Sequence, residues 1–166
     1  MICPVCGHEN LQGVDECENC GSDLRTSDIP APSNLFERWL VNRPLSALNA
    51  ARPLTVTPDT GVADAVSLLQ AEDGTCLVVE QDGQVRGILT ERDLLLRAPQ
   101  PALGGTRVGE LMTSDPVVLR PDDSIAVAIH KMAVGGFRHV PLVEGGRATG
   151  VVSAGDVFRY ILDVID

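Results

Sequence analysis

Aromatic residues make up only 3% of this 166-residue chain: one tryptophan, one tyrosine and three phenylalanines. That scarcity leaves no platform on which successive bases of a single strand would stack. Lysine is nearly missing too. Lys131 is the sole example, arginine supplies the rest of the 13 basic residues, and 23 acidic residues outweigh them. The net charge of −10 and an isoelectric point near 4.6 oppose non-specific attraction to phosphate backbones. Long apolar runs are lacking, the longest being strand-like pieces too short to cross a bilayer. No secretory leader opens the chain, so a reducing, cytoplasmic setting is expected. No nucleophile stands in a motif with a general base, and the chain is read as non-enzymatic.

Cysteine is used sparingly but with order. Four of the five cysteines form matched pairs, Cys3-x-x-Cys6 and Cys17-x-x-Cys20, each followed at once by glycine, Gly7 and Gly21. Such a knuckle folds tightly enough to aim backbone amides at the sulfurs, and the residue after its second cysteine favours positive φ. Four thiolates close a tetrahedral shell around one Zn²⁺, and the ten-residue gap between the pairs holds two short strands or turns. Residues 1–24 are therefore expected to form a zinc ribbon with Cys3, Cys6, Cys17 and Cys20 as ligands. A rubredoxin-type iron site uses similar pairs and stays open as an alternative metal, and two disulfides are the competing non-metal reading. The ribbon has no Lys or Arg but carries Glu9, Asp15, Glu16, Glu18 and Asp23, which suits protein docking or structural duty better than nucleic acid. The fifth cysteine, within Cys76-Leu77-Val78-Val79, reads as a small buried hydrophobe.

Residues 25–43 read as a linker with a short amphipathic helix. Pro30 and Pro32 among small polar residues mark the linker. Asn34 to Val41 then shows an apolar face of Leu35, Phe36, Trp39 and Leu40, with Asn34 and Glu37 spaced as a capping box.

Beyond it the chain repeats itself. Residues 53–97 align with 116–160 at a constant offset of 63 without insertion. Pro53, Pro58, Asp59, Ala63, Ala65, Gly83, Gly87 and Asp93 recur as Pro116, Pro121, Asp122, Ala126, Ala128, Gly146, Gly150 and Asp156. The first unit predicts a strand at Leu54 to Val56, then a helix with Val62, Ala65, Val66 and Leu69 on one face and Thr60 as its cap. A strand from Cys76 to Val79, a turn at Asp82-Gly83, a strand from Val85 to Leu89 and a helix from Glu91 complete it. The second unit copies this through Val117 to Leu119, Ile125 to Met132, Val140 to Val143, Thr149 to Val152 and a helix through Leu162. Each unit is β-α-β-β-α, an α+β arrangement, and one such unit alone leaves a sheet face bare. Two related by a pseudo-two-fold bury those faces on each other, at 44–106 and 107–166. Lead-ins at Leu45 to Leu48 and Val108 to Met112 match at the same offset and are expected to brace the first strand of each unit.

With these motifs in place the chain resembles a cystathionine-β-synthase (CBS) domain pair, or Bateman module, over about residues 44–166. The likeness rests on Gly87-Ile88-Leu89-Thr90-Glu91-Arg92-Asp93 and Gly150-Val151-Val152-Ser153-Ala154-Gly155-Asp156, supported by Val56-Thr57-Pro58, Leu119-Arg120-Pro121 and Phe137-Arg138-His139-Val140-Pro141. Such modules bind adenosyl compounds (AMP, ADP, ATP, S-adenosylmethionine) in clefts between repeats. By that resemblance Asp93 and Asp156 accept from ribose hydroxyls, and Thr90 and Ser153 bond ribose or phosphate. Backbone near Val56-Thr57 and Leu119-Arg120 faces adenine. Arg92, Arg138 and His139 are the candidate phosphate partners, as a fork donor and an imidazole suit that role. Thr90-x-x-Asp93 and Ser153-x-x-Asp156 are equally helix capping boxes that need no ligand. The positions matching Arg138 and His139 in the first unit are Thr75 and Cys76, so the two clefts are expected to be unequal.

The expectation is a regulatory homodimer that binds an adenine nucleotide, its ribbon docking a partner protein. Three alternatives are a ribbon that contacts nucleic acid, an iron electron carrier, and a ligand-free dimerisation scaffold.

Overall fold

A computed structural model describes residues 2–11, 14–24, 31–97 and 105–165. The expected linker therefore lies outside the described residues over 25–30, and the connection between the repeats over 98–104.

The N-terminal segment is built twice over. Bridges Ile2↔Glu9 and Glu16↔Asp23 each flank a cysteine pair. Gly7 and Gly21, at φ of 73° and 68°, donate their amides to Cys3 and Cys17 carbonyls at 2.9 and 2.8 Å, the tight reversal each knuckle requires. Cys3, Cys17 and Leu24 form a small core with Val14 against it.

Helix α1 (Leu35–Val41) follows, with Asn34 Oδ1 accepting the Glu37 amide as its cap. The reciprocal half of the box is displaced by one residue: the Glu37 carboxylate takes the Ser33 amide and hydroxyl instead. Leu40 is buried among second-repeat residues, and Trp39 stacks between Phe36 and Tyr160. This helix thus packs on the repeat pair. A 3-10 turn, Leu45–Ala47, leads into the first repeat.

That repeat contains β1 (Thr55–Val56), α2 (Val62–Ala71), β2 (Cys76–Gln81), β3 (Gln84–Thr90) and α3 (Glu91–Arg97). Then come α4 (Val108–Leu111), β4 (Thr113–Ser114), α5 (Ile125–Gly135), β5 (His139–Glu144), β6 (Arg147–Ser153) and α6 (Ala154–Ile165). β1 runs parallel to β2, β2 and β3 form an antiparallel hairpin, and β4 closes the sheet order β1-β2-β3-β4. In the second repeat β5 and β6 pair antiparallel, and the expected first strand at Val117 to Leu119 is reduced to one parallel bridge, Leu119↔Leu142. Thr60 does not cap α2. Gly61 holds the cap position, and the Thr60 hydroxyl takes the Thr57 amide at 3.1 Å.

Side chains alternate across each hairpin as a two-residue period demands. Leu77, Val79 and Leu89 face α2, while Cys76, Val78 and Ile88 meet Val151 in a cluster between the repeats.

The lead-ins are exchanged. Val108 and Leu111 belong to the core of the first repeat, and Leu45 and Leu48 to that of the second. Val108 N–H donates to Thr60 O at 2.9 Å, and its counterpart Leu45 N–H donates to Asp123 O at 2.8 Å. β4 pairs with Gly87 and Ile88 of β3, while Ala51 bridges Val151 of β6. Each lead-in therefore braces the opposite unit. The physical reason is local: a repeat's own sheet leaves one edge and one helix end open, and the partner's approaching chain supplies both amides and apolar side chains.

Candidate functional site

The four sulfurs converge. All lie within 4.8 Å of one another, with Cys3 to Cys20 at 3.7 Å and Cys6 to Cys17 at 3.6 Å. Tetrahedral Zn–S bonds of about 2.3 Å put sulfurs about 3.8 Å apart, so the donor set fits that ion, and these spacings are far beyond a disulfide bond. Asn10, buried and unassigned by sequence reasoning, ties the knuckles together. Its amide nitrogen donates to His8 O at 3.0 Å and reaches Cys17 Sγ at 3.5 Å, while its oxygen takes the Glu18 amide. Burial pushes the Cys17 thiol up, but amides of Cys20 and Asn19 and the Asn10 side chain outweigh it and hold it at about 6.

The two hydroxyl–carboxylate motifs sit where a strand turns into a helix, β3 into α3 and β6 into α6. Both are closed capping boxes. Asp93 Oδ2 takes the Thr90 hydroxyl at 2.6 Å and amide at 3.0 Å, and Thr90 Oγ1 accepts the Asp93 amide at 3.3 Å. In the second repeat the matching distances are 2.7, 2.8 and 3.1 Å.

They differ in what reaches the remaining oxygen. Asp93 Oδ1 takes the Thr113 hydroxyl at 3.3 Å and faces Arg97 at 3.4 Å, leaving the residue 8% exposed. Arg97 also donates to Leu111 O and Met112 O, so α3 is fastened to the exchanged lead-in. Ala50 stands where Thr113 would in the second repeat, and Ala50 has no donor. Asp156 Oδ1 instead pairs with Arg159, a residue exposed on α6. Burial raises the Asp156 carboxyl, but the Ser153 hydroxyl and amide and Arg159 draw it below the usual value. Asp156 is the more open of the two.

Around Asp156 the repeats meet. His139 Nε2 lies 2.9 Å from Thr75 Oγ1, joining the second repeat to the residue just before Cys76, the counterpart of His139 in the first. Burial lowers the His139 pKa, opposed by Asp156 and Glu91 and assisted by Arg138. Burial, with the Asp156 charge behind it, pushes the Cys76 thiol up to about 11. Arg138, next to His139 in the chain, is exposed, its carbonyl taking the Ala154 amide at 2.9 Å. Arg92 is exposed on α3.

The remaining candidates lie apart from these pairs. Val56 and Thr57 line a cavity of about 460 Å³ with Pro58, Asp59, Glu80 and Asp82, and neither capping carboxylate reaches it. Leu119 is buried in the second core, and the Arg120 amide is held by Asp123 Oδ2 at 2.7 Å. Sequence reasoning missed Thr75, Arg97, Thr113 and Asn10. Only Arg97, four residues after Asp93 on a helix, left a trace in the spacing.

Comparison with known proteins agrees with this architecture. The CBS domain family matches residues 46–99 and 108–163. Among relatives, the chain is 30% identical over 138 residues to the CBS domain-containing protein CBSCBSPB3 of Arabidopsis thaliana, covering 81% of this chain and 23% of that one. It is 33% identical over 104 residues to YhcV of Bacillus subtilis, covering 62% of this chain and 74% of that one. The chain thus spans under a quarter of the plant relative and most of the bacterial one. Among solved structures, Arabidopsis CBSX2 in complex with AMP superposes with a TM-score of 0.65 at 27% identity, covering 75% of this chain and 99% of that one. The CBS-domain protein Atu1752 of Agrobacterium tumefaciens gives 0.61 at 35% identity, covering 67% and 90%. No helix among the described residues is long and apolar enough to cross a membrane. With two similar helix-and-hairpin units that exchange their lead-ins and a family match over both, the chain belongs to the CBS domain family.

Proposed function

We propose that this protein is a non-enzymatic regulator that binds an adenine nucleotide between its CBS repeats. The observation that carries the reading is the Ser153–Asp156 pair, a hydroxyl and a partly open carboxylate beside His139 and Arg138 at the meeting of the repeats. Carboxylate and hydroxyl suit a ribose; imidazole and guanidinium suit a phosphate. The AMP complex of CBSX2 supports the ligand class. Asp93, sealed by Thr113 and Arg97, makes the first-repeat pair the weaker site.

The ribbon serves as a structural metal module, since four thiolates leave no position for reactive water. Its acidic surface suits a partner protein. Homodimer formation through α3 and α6 is supported by exposed apolar residues on both, Leu95 and Leu96 on one and Phe158 and Leu162 on the other, with Leu95 and Phe158 at matching positions.

A thermal-shift series with AMP, ADP, ATP and S-adenosylmethionine tests the reading. Ligand at one hundred times its dissociation constant stabilises the fold by about 2.7 kcal/mol. Asp156→Ala is expected to remove that shift and Asp93→Ala to reduce it less. A full response in both variants contradicts the ribose assignment. One observation favours a second reading, a ligand-free scaffold: both carboxylates already complete helix caps. No shift with any of the four compounds selects it.

A further inference from the structure

The two repeats differ on the outer face of their first long helix. In α5, Ile125, Ala128 and Met132 face their own core, yet Val127 and Lys131 on a second face are also buried, at 1% and 8% exposure. At the matching positions of α2 stand Asp64, exposed, and Leu68, half-buried. The extra cover on α5 comes from the N-terminal part of the chain. Leu40 of α1 shares a cluster with Val127, and Asp15 of the ribbon meets Lys131 Nζ at 3.4 Å.

Asp15 is held by the second knuckle. Its carbonyl accepts the Leu24 amide at 2.8 Å, Glu16 bridges Asp23, and Cys17 is two residues on. Cys17 reaches Cys6 at 3.6 Å, so the position of Asp15 depends on the same convergence of sulfurs that suits a metal. A knuckle of this size has almost no apolar core, and without its ion such a module does not hold its fold.

We infer that the four-cysteine module is a latch on the second repeat alone: with metal bound it presses Asp15 onto Lys131 and holds α5, and metal loss frees that helix. This rests on the metal reading of the ribbon. The chain's sole lysine is placed where its side chain is nine-tenths covered. Losing the Asp15 carboxylate there weakens the electrostatic balance of a buried cation, which favours opening of the helix around it. The consequence is one-sided. α5 packs directly on β5 and α6, which carry His139 and Asp156, whereas α2 keeps Asp64 exposed at the position matching the buried Val127.

The test uses the full chain with and without zinc removal by a chelator. Bound zinc is measured by elemental analysis, opening by amide hydrogen exchange, and melting by the fluorescence of Trp39, stacked on Tyr160 of α6. In the natural protein, chelation is expected to speed exchange in α5 at least tenfold, leave α2 unchanged, and lower the melting temperature by several degrees. Asp15→Asn and Lys131→Met should still hold one zinc, already exchange faster in α5, and lose more than half of the chelation effect. Asp15 is on the surface, so its variant folds even where Lys131→Met does not. Unchanged α5 exchange on chelation, equal effects in α2, or a full chelation effect in Asp15→Asn overturns the latch while the metal reading stands. A chain that takes up no zinc or iron overturns the metal reading, and the latch with it.

Discussion

Thr113 donates its hydroxyl to Asp93 Oδ1 at 3.3 Å, so a residue leading into the second repeat closes the cap carboxylate of the first. Nothing equivalent closes Asp156, whose outer oxygen meets only the exposed Arg159 among the described contacts. Removal of the two carboxylates should therefore have unequal effects. Asp93→Ala loses a cap and leaves buried donors unmatched, which costs about 2 kcal/mol. Asp156→Ala loses a cap at a half-open site, worth about 1 kcal/mol. Urea unfolding of both variants measures the order, and a larger loss at Asp156 contradicts the asymmetry.

The exchanged lead-in passes close over β3. A Cβ at Gly87 would stand 2.5 Å from Met112 Sδ and 3.1 Å from the Thr113 carbonyl. At Gly150 the nearest atom is Ala50 Cβ at 3.1 Å. Gly87→Ala forces both side chain and backbone to move and should cost about 1–3 kcal/mol, with Gly150→Ala costing less. Equal melting temperatures for the two variants would mean that the lead-in is not held against β3.

Cys76 is 8% exposed, and its thiol is pushed up to about 11 by burial and by the Asp156 charge. Alkylation proceeds through the thiolate, so at pH 8 Cys76 is nearly inert. Iodoacetamide on the native protein kept in chelator should label the four N-terminal cysteines and spare the fifth until denaturant is added. Mass spectrometry counts the adducts. Rapid fifth labelling in the native state is the contrary result.

Two groups near the meeting of the repeats contribute to the acid side of the stability curve. Burial lowers the His139 pKa, so the unfolded chain takes up that proton first. Its contribution is complete above the ordinary imidazole value of about 6.5 and is lost as pH falls through the folded value. Asp156 is also depressed, and its contribution is complete above the ordinary carboxylate value and lost at still lower pH. His139→Gln should flatten the loss of stability below about pH 6.5, and Asp156→Asn the loss below about pH 4. Unfolding midpoints between pH 7 and 3 check both, and unaltered slopes exclude these residues as the titrating groups.

Much of this architecture was readable from spacing. The cysteine pairs with their glycines, the alternation of Leu77, Val78 and Val79, and the hairpin turn at Asp82-Gly83 all follow from local chemistry. Each is a short-range pattern, with its cause and its consequence inside the same few residues. The capping boxes were legible for the same reason, as Thr90 and Ser153 lie one turn from their carboxylates. Even α1 could be placed, because Asn34 and the Leu35 to Leu40 stripe mark it.

What packing alone resolved concerns partners far apart along the chain. Thr60 reads as a helix cap by type and position, yet it is spent on Thr57 because Gly61 takes the cap. Leu45 and Val108 read as neighbours of their own repeats but enter the opposite cores, since an open sheet edge accepts whichever chain arrives with matching amides. The pairing of Thr75 with His139, of Thr113 with Asp93 and of Asp15 with Lys131 joins residues 64, 20 and 116 positions apart. No periodicity encodes such distances. They arise when two similar sequences fold face to face, and the few positions where those sequences differ then acquire different neighbours.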